Sequence, residues 1–417
     1  LTTEAPEMQS SGIYNRIKLI LAAGIAIVLS ACSREGVPDT GDVSYTIISG
    51  GTAVTTEAPT ETEDIYADVS DTKLYIPEHM VTKYASLDYD KRMQDVYDDV
   101  VDTMQNFRTK SYVPLTISTE DYVKVLETVR CEQLMLFYLQ NRYAGDFDST
   151  VQTYEMNFSY KYSIKEVNIM LMETEKAAKE IMTLTDPSMS DYEKLKIFHD
   201  YLVLNVESST DDPTADSIYG ALVNKKALCE GYAKAFSYLC NLAGIENMIV
   251  TGYTDVDHMW NMVKLEGKWY HIDVGWDKPS AALSERYPDM VLYQYFLSED
   301  SIMENNRIIS NMLCDPPVAD SSDMYYFNVE NKYAETYDQA LEIIEQSCRR
   351  CIDSGEKYFM IKLDSSNLYL QTTSDLIKPD SEGVTDIDRI VRSLNFKGQI
   401  SYIDYYKAYR IIIFVLE

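Results

Sequence analysis

HMWNMVKLEGKWYHIDVGW, residues 258–276, reads as two strands meeting at Glu266-Gly267. With a turn of two or four residues centred there, paired residue numbers sum to 533, so Leu265 faces Lys268 and Trp260 faces Asp273. Directly opposed residues share a face of a sheet, as do residues two apart along one strand. His258, Trp260 and Met262 then lie on the face of His271 and Asp273, and His258 and Asp273 become diagonal neighbours within hydrogen-bond reach. A three-residue turn would put them on opposite faces. The parity of one turn therefore decides whether a histidine and a carboxylate can work together.

Such a pair needs a nucleophile, and ALCEGYAKAF, residues 227–236, offers Cys229. Tyr232, Phe236, Leu239 and Leu242 follow it at helical spacing, and Gly244 is a good stop, so Cys229 falls in the first turn of a helix. Free N–H groups and the positive end of the helix dipole favour a thiolate there. Lys225 and Lys226 act in the same sense, and Glu230 against it. No Ser, Thr, Asp or Asn stands at 226–228 to cap the helix, which leaves its first N–H groups for a developing oxyanion. A nucleophilic thiol needs a base, and the base needs a group that fixes its tautomer. Cys229, His258 and Asp273 can fill these roles. The chain has four histidines, and His271 is the rival base on the same face.

The rest of the chain sets the frame. Its 417 residues suggest more than one domain, and 46% hydrophobic with 25% charged residues is the balance of a folded protein. A net charge of −30 argues against sequence-independent nucleic-acid binding, which needs clustered cations. Seven unevenly spaced cysteines imply no disulfide framework. Cys348 and Cys351 form CRRC, but both fall on the apolar stripe of a helix starting at Tyr337, with no second Cys or His pair nearby, so they read as structural. No calcium-binding pattern is visible, and no metal or cofactor is expected. Nothing in the sequence sets an oligomeric state.

Arg16 and Lys18 precede the apolar run LILAAGIAIVL, residues 19–29, and LSAC follows at 29–32. A basic start, a short apolar core and small residues are the parts of a secretory signal, and the run is too short to span a membrane. LSAC resembles the bacterial lipobox, which implies cleavage before Cys32 and a lipid on that cysteine. Residues 1–31 are then a lipoprotein signal peptide. Residues 32–66, rich in Thr, Glu, Asp, Gly and Ser, form an acidic disordered tether. The folded part is expected outside the cytoplasm, lipid-anchored to a bacterial membrane.

Beyond the tether, residues 67–185 are mainly helical, with Met93, Val96, Tyr97, Val100, Val101, Met104 and Phe107 on one face. Ser118 with Asp121, and Ser190 with Glu193, look like capping boxes. YEMNFSYKYS, residues 154–163, alternates as a strand, and His199 sits on a core stripe as a packed histidine. Residues 186–320 carry the Cys, His and Asp, and CDPPVADSSD at 314–323 is a linker by composition. In 321–417 the pattern predicts strand YYFNVE, a helix from Tyr337, strands KYFMIKL and NLYLQTT, a helix in DIDRIVRSLNF, and strands around QISYID and YRIIIFVL. That order suggests a small α/β domain of the split βαβ kind.

CEGYAKAFSYLCNLAGI together with TGYTDVDHMWNMVKLEGKWYHIDVGWDKP resembles the core of the transglutaminase-like superfamily, most strongly over residues 190–280. That family has a cysteine at a helix start, a histidine in an HAWN-type strand and an aspartate in a WYxxD-type strand, which match Cys229, His258 and Asp273. The resemblance implies an α+β, papain-like core in which the nucleophile helix packs on an antiparallel sheet. It also implies a thioester acyl-enzyme acting on amide bonds of a peptide or protein substrate, by hydrolysis or by transamidation; cell-wall peptides and secreted proteins are both within reach of the tether. The backbone N–H of Cys229 is expected to bind the oxyanion, with Tyr219 as a second donor. Trp260, Asn261 and Trp276 are expected at the substrate cleft. Met259, Gly275 and Lys278 stand where the family usually has a small residue, a threonine and an acid. A different class of reading remains: a surface-binding module that keeps this fold without turnover, its acidic surface and 34 tyrosines serving contacts.

Overall fold

Short polar side chains open the helices of the N-terminal half. The computed structural model of the protein describes residue 66 and residues 68–114, 116–141, 145–148 and 153–417. The expected signal segment, nearly all of the tether and Cys32 lie outside the described residues. Among those described, no helix is long and apolar enough to cross a membrane. Asp90 caps α1 (Lys91–Gln105), whose Val96, Tyr97, Val100 and Met104 are buried. Ser118 accepts from the Asp121 N–H at the start of α2 (Thr119–Glu132). Full capping boxes open α3 (Ile164–Met182) through Ser163 and Glu166, and α4 (Asp191–Asn205) through Ser190 and Glu193.

The strand expected over 154–163 is shorter. Strands β1 (Lys110–Pro114), β2 (Gly145–Asp148) and β3 (Thr153–Asn157) form an antiparallel sheet in the order β1-β3-β2. The alternation is divided between two sheets: Thr153–Asn157 pairs with β1 and β2, Ser159–Tyr160 pairs with Leu139–Asn141, and the Ser163 capping box then opens the next helix.

The centre of the molecule is helix α5 (Cys229–Ala243), closed by Gly244 at φ +73°, and the strands after it. These are β4 (Asn247–Tyr253), β5 (Asp257–Leu265), β6 (Lys268–Ile272), β7 (Phe296–Ser298) and β8 (Ile308–Ile309). They pair antiparallel in the order β7-β6-β5-β4-β8. Leu265 faces Lys268 and Asn261 faces Ile272, the register in which numbers sum to 533. Glu266 and Gly267 both have positive φ, 51° and 81°. That is the two-residue turn whose twist suits a hairpin.

The last part of the chain departs from the sequence reading at two strands. YYFNVE contains a short helix, Tyr326–Val329, that buries Tyr326 and Phe327. NLYLQTT lies in helix α7 (Ser366–Asp375). Ser365 accepts the Leu368 N–H, and Leu368, Tyr369 and Thr372 are buried, a helical rather than an alternating pattern. The order is β9 (Tyr333–Ala334), α6 (Tyr337–Ser354), β10 (Tyr358–Leu363), α7, α8 (Asp386–Ser393), β11 (Ile400–Tyr406) and β12 (Ile411–Leu416). Strands β9 and β10 are directly paired and parallel, so the βαβ unit is not split. Cys348 and Cys351 are buried and free in α6. The sheet is covered on both faces. Ile411, Ile413 and Val415 join the main core, while Ile412, Phe414 and Leu416 pack in a second cluster with α6 and α7. The whole is an α+β fold.

Candidate active site

Leu228 occupies the N-cap of α5, and no side chain caps the helix. Its N–H donates to the Ala215 carbonyl at 2.7 Å. Gly231, one turn in, makes that approach possible, because a Cβ there would stand 2.4 Å from the Ala215 oxygen. Cys229 is half-buried at this uncapped end. Glu230 beside it was expected to oppose a thiolate. Its carboxylate is instead buried between cations: Arg130 Nε donates at 2.9 Å, Arg130 Nη2 donates to its other oxygen, and Lys234 Nζ lies at 2.8 Å. Arg130 also holds Glu127 at 3.0 Å. Two cations and two anions cancel, so the field of the helix end reaches Cys229 with little opposition.

His258 stands at the start of β5 with Nε2 at 2.7 Å from Asp273 Oδ2. That leaves Nδ1 for Cys229, with which the ring shares a hydrogen bond. Trp260 stacks on His258 with ring centres 5.7 Å apart, and Trp276 tilts against it at 5.6 Å. Burial works against the protonated ring, but Asp273 and Cys229 outweigh it and raise His258 to about 9. Asp273 is fully enclosed. Burial works against its charge, yet His258 and Arg307 pull it down to about 2. Its Oδ1 accepts the Trp276 N–H at 3.2 Å.

Arg307 was invisible in the sequence. It lies just before β8, more than thirty residues after Asp273, and its neighbours form no motif. The guanidinium is buried, donates from Nη1 to Asp273 Oδ2, and is ringed by Trp260, Trp276 and Tyr295 at 5.3, 4.8 and 4.3 Å.

The other expected site residues separate. His271 is not free to act as a base. Its Nδ1 accepts the Trp260 indole N–H at 3.0 Å and its Nε2 meets Asp300 at 2.8 Å. Burial lowers its proton affinity despite Asp300. Trp260 is accordingly a buried floor beneath His258 and not part of an open cleft. Asn261 is also buried and ties β5 to α5 by donating to the Ala233 carbonyl at 3.0 Å. Trp276 is half-buried and touches His258. Tyr219 is engaged elsewhere: its hydroxyl donates to Glu173 at 3.0 Å and its ring stacks on Phe137. No oxyanion contact is assigned to it. His199 is more than a packed ring. It lies between Asp200 at 3.0 Å and Asp277 at 3.1 Å, and burial raises Asp277 to about 6. Lys278 donates to the Val203 and Val206 carbonyls at the end of α4, a helix-capping role.

Residues 176–274 match the family model of the transglutaminase-like superfamily. The chain carries a transglutaminase-like domain. Kyphoscoliosis peptidase of Homo sapiens is 29% identical over 113 residues, covering 23% of this chain and 17% of that protein. The Mus musculus protein of the same name is 27% identical over 114 residues, with the same coverage. The chain thus spans less than a fifth of the length of these curated relatives. A solved structure of a TGase is 16% identical, with a TM-score of 0.24, and covers 35% of this chain and 48% of that one. The transglutaminase-like domain contains Cys229, His258 and Asp273; Arg307 and Asp300 lie beyond the matched residues.

Proposed function

We propose that the protein is a cysteine-dependent enzyme that acts on amide bonds of peptides or proteins through a thioester acyl-enzyme. One observation carries this reading: Cys229, half-buried at an uncapped helix start, is hydrogen-bonded to a histidine whose other nitrogen meets a buried carboxylate at 2.7 Å. The Cys229 sulfur attacks the carbonyl carbon, and the C=O electrons move to oxygen, which faces the N–H groups of the helix start. As the C–N bond breaks, His258 gives its proton to the leaving nitrogen. In the second half, water or an amine attacks the thioester, His258 takes its proton, and the thiolate leaves. Asp273 keeps the ring oriented throughout.

The test incubates the full chain with a glutamine-containing protein and a labelled primary amine, read by mass spectrometry. Label incorporation marks transamidation, and chain cleavage or deamidation marks hydrolysis. Each must vanish in Cys229→Ala. None of the three with the wild-type chain would overturn the reading.

The same reading holds the enzyme outside the cytoplasm through Cys32, with cell-wall peptides or secreted proteins in reach. The supporting feature is LSAC after a short apolar run. Cys32→Ser is expected to release the protein from membranes or leave it unprocessed. A mutant in the membrane fraction with an unchanged acylated N-terminus refutes the anchor.

A further inference from the structure

A carboxylate that orients a buried imidazole also binds it as an ion pair, and the tighter that pair, the harder it is for the imidazolium to release its proton to a leaving group. Asp273 escapes the tightest form of this pair because Oδ2 is shared. His258 Nε2 and Arg307 Nη1 meet the same oxygen. The cation is held in place from several sides. Arg307 Nε donates to Asn306 at 3.1 Å, and Asn306 donates to the Tyr295 hydroxyl at 2.9 Å. Tyr295 in turn donates to Tyr409 at 3.1 Å, in the turn between β11 and β12. Three aromatic faces enclose the guanidinium plane.

The charged and titratable groups around His258 are few. From α5 comes Cys229, from the end of β6 comes Asp273, and from before β8 comes Arg307. Behind Trp260, His271 is bonded to Asp300, and beyond Asp273, Asp277 is bonded to His199. Those two are already paired, so Arg307 is the cation that acts on the Asp273 charge. A buried ion pair is weak ground for stability, since apolar residues of like volume often serve as well. A placement this specific, on the oxygen that orients the base, points to chemistry.

We propose that Arg307 is a positioning residue that fixes the Asp273 carboxylate and shares its charge with His258, so that the base gives up its proton readily. This rests on the thiol chemistry proposed above. Iodoacetate, an anion, reacts best with a thiolate that has an imidazolium beside it. The alkaline limb of its rate at Cys229, followed by peptide mapping on the full chain, therefore reports the proton on His258. In Arg307→Met the limb is expected to move up by about one pH unit, as loss of a nearby cation requires. Amide turnover should fall about tenfold, mostly in kcat. Arg307→Lys keeps the charge and is expected to keep the wild-type limb. Arg307→Gln, neutral but still a donor, carries the same test as Met should the Met variant not fold. A limb that stays put in a folded neutral variant, or that moves as far in Lys as in the neutral variants, overturns the proposal. Equal carboxymethylation of wild type and Cys229→Ala would instead overturn the thiol reading itself.

Discussion

Cys229→Ala and His258→Gln are each expected to abolish amide turnover, with a loss of about 10⁵-fold or more, and to be nearly as damaging singly as together. The two side chains act as one unit. The sulfur is a useful nucleophile only as a thiolate, and the proton it gives up must sit on His258 until the leaving nitrogen takes it. His258 is raised to about 9, because Asp273 and Cys229 outweigh the cost of burial. The imidazolium is therefore kept through neutral pH and lost as pH rises through that value. Reaction of Cys229 with iodoacetate should follow, flat near neutrality and falling above about 9. Cys229→Ala removes a half-buried sulfur and should leave the fold intact by circular dichroism. Cys131, Cys240, Cys348 and Cys351 are buried and compete little for the reagent; Cys314 is half-buried like Cys229, but burial pushes its thiol up to about 11, and peptide mapping separates the two. Persistent turnover in either folded variant would sink the nucleophile and base assignments.

What could be read from the sequence was what local spacing controls. The parity of the Glu266-Gly267 turn set the β5–β6 register, and with it the meeting of His258 and Asp273, because a period of two leaves a single choice of face. The start of α5 was legible from an apolar stripe and a glycine stop. What long-range packing controls was not legible. Arg130 neutralises Glu230 from a hundred residues away, and Arg307 reaches Asp273 across a chain segment with no motif of its own. A sequence shows that a charge exists, not which buried partner it will meet. The two strands misread as such, at YYFNVE and NLYLQTT, failed for another reason. Short apolar runs with aromatics suit either period; at NLYLQTT the choice fell to the Ser365 cap and burial in the C-terminal cluster, and at YYFNVE to burial of Tyr326 and Phe327 in the main core, where Tyr326 stacks on Tyr293. Tyr219 was assigned to the oxyanion on likeness alone, and Glu173 on α3 takes its hydroxyl.

Asp273→Asn should cost about 10³- to 10⁴-fold in turnover, close to loss of the base, and the reason lies in the three donors that meet this side chain. Oδ2 faces His258 and Arg307, while Oδ1 faces the Trp276 N–H. An asparagine has one acceptor oxygen. If its amide nitrogen turns toward His258, it donates to Nε2, the ring proton moves to Nδ1, and the base can no longer accept from Cys229. If its oxygen turns that way, the tautomer survives, but the guanidinium of Arg307 faces the imidazole with no anion between them. The imidazolium is then disfavoured, and the thiolate with it. Removing the cation relieves the second failure. Asp273→Asn combined with Arg307→Met should therefore be more active than Asp273→Asn alone, although each single change is harmful, a coupling that independent sites do not show. His271→Gln, which loosens Trp260 from Asp300 but leaves Asp273 and Arg307 in place, should lower stability by about 1–2 kcal/mol while sparing most of the turnover. An inactive His271→Gln beside an active His258→Gln would show that the base has been misassigned. A double variant no better than Asp273→Asn would show that Arg307 does not act through the carboxylate.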